Sequence, residues 1–329
     1  MAVVTTTAKC GGHITLAFTV HSDSEELYEQ GSMGIGLCIE AGISTSCRSD
    51  PSRSSGLLVI SNGLPIDSNL HRLVLEECAR FDPSLSSMHH TFDLISELPF
   101  SQGFGLSAAG SITAARCLIA HSDIPSQLHE PLVWAIAHRV ERRHSGGLGD
   151  VTALHAGGVV RRTTPGATHQ IEQIEPVVVG TGPGSSDGWS SLIPLLLAWR
   201  PSGSKHTSTY IDSEGWSQRI RVAGEEVMET LSNNPWDATR WPEIIDAAHC
   251  FAKQSELIKD SERASLLDEV RWALKPIEQD IEVMLCMLGE SVVVVPRELG
   301  SVNRMDEAEN LLGNLTSLHC AQTVLGPIS

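Results

Sequence analysis

Short apolar runs alternate with segments of helical spacing through the first half of the chain. The apolar, β-branched runs predict strands, which lie at 14–20, 34–43, 56–60 and 157–163. Ser61-Asn62-Gly63 follows the third of these strands and predicts a hairpin turn. Apolar positions three or four residues apart predict helices at 70–81 and 131–143. The small residues of 108–115 predict a third helix, which ends near residue 120.

The second half of the chain predicts strands followed by longer helices. The predicted strands lie around 171, at 177–179 and at 292–295, and the predicted helices cover 218–231, 241–253, 256–274 and 306–315. The glycine- and serine-rich stretch 180–188 predicts a surface loop. Pro183 and Ser185 break the glycine turn that a dinucleotide-binding fold requires at this point. Composition shifts at 164–166, which predicts an N-terminal domain, 1–166, and a C-terminal domain, 167–329.

Composition and charge exclude several classes of protein. The chain has 329 residues, of which 41% are hydrophobic and 19% are charged, as in globular proteins. A formal net charge of −17 argues against a nucleic-acid partner, because phosphate backbones are bound by basic surfaces. The longest apolar run, 192–199, is far too short for a membrane span. The eight cysteines form no C-x-x-C pair, which indicates reduced, buried thiols and a cytoplasmic location.

The segment Pro99–Ser111 carries the strongest chemical signal. Its sequence, Pro-Phe-Ser-Gln-Gly-Phe-Gly-Leu-Ser-Ala-Ala-Gly-Ser, places a glycine-rich turn directly before the predicted helix of small residues. A helix that opens in this way leaves backbone N–H groups unpaired and directed at one point, which suits a phosphate. Ser107 adds a hydroxyl for the same ligand or its metal. An ordinary strand-to-helix turn is the alternative, but the serine and the small residues together favour the anion site.

Two carboxylates follow this segment at a spacing that suits phosphoryl transfer. Glu141 lies near the end of the predicted helix 131–143, and Asp150 follows a glycine-rich bend. Phosphoryl transfer needs carboxylates to hold Mg²⁺ and to orient the attacking hydroxyl, and a helix-borne Glu and a loop-borne Asp can supply one each. A second interpretation takes His138, Glu141 and His144 as ligands of a zinc hydrolase, although their spacing matches none of the usual zinc signatures.

These motifs, in this order, resemble those of the GHMP kinase superfamily. The pieces that carry the resemblance are Gly12-His13-Ile14-Thr15, the Pro99–Ser111 segment, Ala137-His138-x-x-Glu141, Gly147-Leu148-Gly149-Asp150-Val151, Gly157-Gly158-x-x-Arg161 and, more weakly, residues 284–289. The resemblance covers most of the chain and is densest from 99 to 166. Within the superfamily it is greatest to the archaeal branch whose acceptor is pantoate.

The resemblance implies an α+β protein with the GHMP kinase fold. Such a protein has an N-terminal α+β domain like domain 2 of ribosomal protein S5 and a C-terminal ferredoxin-like α/β domain, with ATP bound between them. It implies transfer of the γ-phosphoryl group of ATP, with Mg²⁺, to a small hydroxy acid such as pantoate, forming 4-phosphopantoate for coenzyme A synthesis. Membrane and nucleic-acid partners are not expected, whereas a homodimer is.

The resemblance also assigns the site residues. The implied ATP-phosphate loop comprises Gln102, Gly103, Phe104, Gly105, Leu106, Ser107 and Ala108. Ser107 and Glu141 would hold Mg²⁺, Asp150 would be the catalytic residue, and His13 and Arg161 would lie on the acceptor side. Three alternatives stay open at this point: a mevalonate- or homoserine-type acceptor, a ligand-sensing protein without catalysis, and the zinc hydrolase.

Overall fold

The computed structural model describes residues 3–201, 214–232 and 235–327, which form a mixed α+β protein. The described strands are β1 (Val4–Phe18), β2 (Gly34–Asp50), β3 (Gly56–Ser61), β4 (Leu64–Pro65), β5 (His89–Ser96), β6 (Val159–Thr164), β7 (His169–Gln173), β8 (Val178–Thr181), β9 (Ser185–Trp189), β10 (Pro194–Trp199), β11 (Ile281–Leu285), β12 (Ser291–Pro296) and β13 (His319–Val324). The described helices are α1 (Asn69–Ala79), α2 (Leu106–Ile119), α3 (His129–Arg143), α4 (Asp150–Ala156), α5 (Glu214–Leu231), α6 (Trp241–Gln254), α7 (Ser261–Ala273) and α8 (Met305–Leu312).

A large sheet in the first half of the chain carries helices α1 to α3. Its strand order is β4-β3-β5-β2-β6-β9, and β1 joins it by antiparallel pairing with β2. Helix α2 packs against β1, β2, α1 and α3, and almost all of its residues are buried. Such close packing on every side requires small side chains, which the run of alanine, glycine and serine in α2 supplies. The prediction of a helix from these small residues is confirmed.

A second, four-stranded sheet in the order β11-β12-β10-β13 forms the centre of the other half. Its central strands, β10 and β12, are strongly apolar, and every residue of β12 is buried. Buried apolar side chains form one continuous cluster through both halves. Strand β9 pairs with β6, so the large sheet includes residues beyond 166. The division into domains 1–166 and 167–329 stays a prediction.

The structure confirms most of the predicted elements and corrects the region 180–188. Asn62 and Gly63, with φ of 48° and 82°, form the predicted hairpin turn between β3 and β4. The predicted surface loop at 180–188 is wrong, because β9 lies there. Its side chains are mostly polar, but it pairs with β6 through backbone hydrogen bonds, which place no demand on side-chain polarity. No helix within the described ranges is both long enough and apolar enough to cross a membrane.

Candidate active site

A cavity of about 400 Å³ opens where the glycine-rich loop, α1, the turn between α3 and α4, and strands β1 and β6 converge. The loop contributes Gly103 to Ser107 to the wall of this cavity. Both predicted carboxylates, Glu141 and Asp150, also line it. The loop and the two carboxylates, which the sequence separates by more than thirty positions, therefore lie on one concave surface.

The glycine-rich loop has the geometry of an anion site. Gly103 and Gly105 have φ of 81° and 65°, the left-handed region that glycine adopts without strain. Gly105 is the N-cap of α2, and the N–H of Ala109 donates to its carbonyl at 3.2 Å. The N–H groups of residues 106 to 108 therefore precede the hydrogen-bond ladder of the helix. Together with the helix dipole they favour a phosphate at this point.

The base of the loop is fixed by the second half of the chain. The side-chain amide of Gln102 donates to the carbonyl oxygen of Arg200 at 2.9 Å, and the hydroxyl of Ser291 donates to the carbonyl oxygen of Gln102 at 2.5 Å. The phenyl ring of Phe104 meets the indole of Trp199 edge-on, with ring centres 5.8 Å apart. The side chain of Gln102 thus anchors the loop to the residue that follows β10 and does not line the cavity, which corrects its predicted place among the phosphate-contacting groups. Ala108 is fully buried, so only its backbone N–H suits that role.

Ser107 and Glu141 form a pair beside the loop. The hydroxyl of Ser107 donates to Oε1 of Glu141 at 2.5 Å, and the N–H of Gly147 donates to Oε2 at 3.0 Å. Glu141 is 1% exposed. Burial, helped by the nearby charge of Asp150, outweighs the two hydrogen bonds and raises the pKa of its carboxyl to about 7. A buried carboxylate of this kind gains from a cation that replaces its proton.

Asp150 is held by a second network that involves His13 and Arg162. Nδ1 of His13 lies 2.6 Å from Oδ1 of Asp150, and the hydroxyl of Thr15 donates to the same oxygen at 3.5 Å. On its other side, Nε2 of His13 lies 3.5 Å from Nη1 of Arg162. Because the guanidinium can only donate, Nε2 must accept, and Nδ1 then carries the proton that it donates to Asp150. The hydrogen bonds therefore fix one neutral tautomer of His13.

The electrostatics of this network keep Asp150 ionised. Burial opposes ionisation, but the hydrogen bond from His13 and the positive charge of Arg162 outweigh it and lower the pKa of Asp150. The side chain of Asp150 is 21% exposed, whereas that of His13 is fully buried. Asp150 is thus the residue of the pair that can contact a ligand in the cavity. It is also the first residue of α4, so the prediction that it belongs to a loop is wrong.

His13 and Arg161 do not lie where the acceptor-side prediction placed them. His13 lies behind Asp150 and has no exposed surface. Arg161 donates to the carbonyl oxygen of Leu231 at 2.6 Å and to Asp187 at 2.7 Å, outside the cavity. Successive side chains of a strand point to opposite faces, so its neighbour Arg162 lines the cavity instead. Arg162 is the main functional candidate that the sequence analysis left unassigned, because two adjacent arginines after an apolar run carry no signal of which one faces the cavity.

The zinc-hydrolase interpretation finds no support in the described residues. Nε2 of His138 lies 3.1 Å and 3.0 Å from the carbonyl oxygens of Leu27 and Gln30, so this nitrogen is occupied as a donor. Nδ1 of His144 lies 3.3 Å from the side-chain amide of Asn69. Across the described ranges, histidine, cysteine and carboxylate side chains nowhere gather in a group of three that could hold a metal.

The chain matches one protein-family model and several relatives of known name. Residues 69–158 match the family model of the GHMP kinases N terminal domain. A protein named pantoate kinase from Methanocaldococcus jannaschii is 26% identical over 305 residues, covering 92% of this chain and 96% of that protein. One of the same name from Methanospirillum hungatei is 29% identical over 186 residues, or 53% of this chain, and this chain spans 58% of its length.

Solved structures share the whole fold. A structure titled as a phosphotransferase related to the CoA biosynthesis pathway has a TM-score of 0.72 at 22% identity, covering 98% of this chain and 96% of that one. A mevalonate diphosphate decarboxylase from Enterococcus faecalis has a TM-score of 0.62 at 14% identity, covering 99% and 98%. At these identities the matches establish the fold alone. The predicted α+β fold of the GHMP kinases is confirmed.

Proposed function

We propose that this chain, which carries the N-terminal domain of the GHMP kinases, transfers the γ-phosphoryl group of ATP to a hydroxyl group of pantoate. The observation that carries the proposal is the convergence of three devices on one cavity. These are the open N-terminus of α2, the Ser107–Glu141 pair and the ionised carboxylate of Asp150. The first can bind a triphosphate, the second its cation and the third an acceptor hydroxyl.

Pantoate is the acceptor that the relatives support. Three curated proteins that match this chain are all named pantoate kinase, and two of these matches cover 92% of it. The structure related to the CoA biosynthesis pathway agrees with this reaction, whose product would be 4-phosphopantoate. Arg162 supplies the positive charge that an anionic hydroxy acid needs in a protein with a net charge of −17.

The residues present fit a magnesium ion. The hydroxyl of Ser107 and the carboxylate of Glu141 are hard oxygen donors 2.5 Å apart at the cavity wall, and phosphate oxygens and water complete the coordination that Mg²⁺ prefers. When bound there, the ion would neutralise charge on the phosphate oxygens. Glu141 would give up its proton to serve as a ligand, and the N–H of Gly147 would keep its second oxygen in place.

Asp150 would position the acceptor. Its exposed carboxylate oxygen accepts a hydrogen bond from the pantoate hydroxyl and directs the oxygen lone pair at the γ-phosphorus. Its low pKa keeps it ionised at neutral pH, so it acts first by orientation and charge. It receives the hydroxyl proton as the new P–O bond forms and the bond from the γ-phosphorus to the β–γ bridging oxygen breaks, which releases ADP. The N–H groups at the start of α2 hold the triphosphate in line with that hydroxyl.

Phosphate transfer from ATP to pantoate by the purified protein, followed by detection of phosphopantoate, tests the proposal directly. Asp150→Asn is expected to reduce turnover by at least about a thousandfold, while the affinity for ATP changes by less than about twofold. Turnover of mevalonate or homoserine in place of pantoate would show that the acceptor is that alcohol and not pantoate. An Asp150→Asn protein with normal turnover would refute the assigned chemistry, and the absence of turnover with every hydroxy acid would favour a ligand-sensing protein. The cytoplasmic location and the homodimer expected from the sequence stay predictions.

A further inference from the structure

The cavity has two ends of different chemistry. Asp150, Arg162 and Thr15 line one end, where the acceptor would bind. The other end is formed by α1, β2, β5 and the segment before the glycine-rich loop, and its wall is largely apolar, with Ile43, Leu70 and other aliphatic side chains. Since the phosphate loop lies between them, a nucleotide whose γ-phosphate reaches Asp150 extends its base into the apolar end.

One polar side chain in this apolar wall has no partner. His71, in α1, lines the cavity and is 3% exposed. Neither of its ring nitrogens has a hydrogen-bond partner among the residues that the structure describes. Its ring packs against Phe92, with ring centres 5.0 Å apart, so an aromatic side chain supports it from within the core. An unpaired donor or acceptor in such a place costs about 1–3 kcal/mol unless a ligand satisfies it.

The charge state of His71 limits what that ligand can be. Burial lowers its pKa to about 4, so the ring is neutral at neutral pH. A neutral imidazole does not attract a phosphate or carboxylate as a cation would. It offers one N–H donor and one lone-pair acceptor instead. The polar edge of a nucleobase is a neutral surface with donors and acceptors of this kind.

We propose that His71 recognises the base of the bound nucleotide by hydrogen bonding to its polar edge and thereby selects adenine at the apolar end of the cavity. This inference rests on the proposed function, because it takes the occupant of the cavity to be a nucleoside triphosphate. The base fills the space against the aliphatic wall, and the imidazole supplies the directional contact that a purely apolar wall lacks.

A matched pair of variants tests the contact. His71→Asn keeps a neutral donor and acceptor, whereas His71→Leu has nearly the same shape as the asparagine and offers neither. Binding of Mg–ATP and of Mg–tripolyphosphate, which has no base, is measured by titration calorimetry. We expect His71→Leu to weaken ATP about three- to tenfold relative to His71→Asn, with tripolyphosphate affinity equal in both. Equal ATP affinity in the two variants, or an equal loss for tripolyphosphate, overturns the inference.

The wild-type protein provides a test that does not depend on the folding of a variant. We compare ATP with 7-deaza-ATP, 1-deaza-ATP and purine ribonucleoside triphosphate, which remove N7, N1 and the exocyclic amine of adenine in turn. At least one of the three is expected to bind about three- to tenfold more weakly than ATP. Equal affinity for all four overturns the inference while the proposed function stands. Failure of the wild-type protein to bind ATP at all overturns both.

Discussion

Replacing His13 by leucine tests whether the hydrogen bond to Asp150 contributes to catalysis. His13 is fully buried and does not meet a ligand, so any effect on turnover must pass through Asp150. The matched control is His13→Asn, whose amide N–H can take the place of Nδ1, while leucine has nearly the same shape as asparagine and no donor. Both variants lose the outer part of the ring beside Gly36 and Arg162 equally.

The structure sets the size of the effect. Nδ1 of His13 and Oδ1 of Asp150 are 2.6 Å apart, which is typical of a strong, charge-assisted hydrogen bond. Such a bond contributes about 1.5–3 kcal/mol, so its loss predicts a kcat about 10- to 150-fold lower in His13→Leu than in His13→Asn. The KM for ATP is expected to be equal in the two, because the phosphate loop is unchanged.

The pH dependence of kcat distinguishes this positioning role from a general loss of structure. Asp150 must be ionised, so activity falls as the pH drops through its pKa. Without His13, burial is the dominant influence and the pKa of Asp150 rises. The acid limb of the profile is therefore expected at higher pH in His13→Leu than in His13→Asn. Equal kcat values, or a change confined to the KM for ATP, would refute the reasoning.

Three further predictions concern the metal pair and the packing of α1 on α3. Ser107→Ala is expected to weaken Mg–ATP binding about tenfold in titration calorimetry, and an unchanged affinity would contradict its place as a ligand. In EDTA, the wild-type protein should lose up to about 3 kcal/mol of stability relative to Glu141→Gln as the pH rises from about 4.5 to 7. The reason is that the pKa of Glu141 is about 7 in the folded protein and 4.5 in the unfolded chain. If thermal melts show that the stabilities of the two proteins change equally with pH, the prediction is wrong. Glu77→Gln should lower the free energy of unfolding by about 2 kcal/mol in urea titrations. The buried carboxylate of Glu77 lies within 3.1 Å of three guanidinium groups, on Arg80, Arg139 and Arg143. Unaltered stability would show that water stabilises these arginines as well as the carboxylate does.

The parts of the site that the sequence predicted are those with local signals. Glycines, a serine and small residues occur together from 99 to 111, and each restricts the backbone or the packing of its own neighbourhood. Glu141 follows from the periodicity of a fifteen-residue helix. Helix α4, at seven residues, is too short for periodicity to reveal, which is why the sequence indicates a loop at Asp150.

The parts that the sequence could not predict depend on contacts between distant segments. In β6 the residues from Val159 to Arg162 are all buried, so no alternation of polar and apolar side chains shows which arginine faces the cavity. The polar strand β9 is fixed by its pairing with β6, and its own composition indicates a loop. His71 stands in an ordinary amphipathic helix, and only the structure shows that its ring nitrogens lack partners.

Glycines around the site leave room for the side chains of His13 and Asp150, in addition to shaping the phosphate loop. A Cβ on Gly36 would lie 2.2 Å from Nε2 of His13, and one on Gly147 would lie 2.1 Å from Oδ2 of Asp150. Both distances are far shorter than any van der Waals contact, so at each glycine a functional side chain occupies space that a β-carbon would need. Gly36 lies outside the phosphate-binding segment, in β2, and the three atoms nearest to such a Cβ belong to His13 and Ile14. The absence of a side chain at these positions is therefore a condition for the His13–Asp150 pair, and it links the glycine-rich pattern of the sequence to the chemistry at the acceptor end of the cavity.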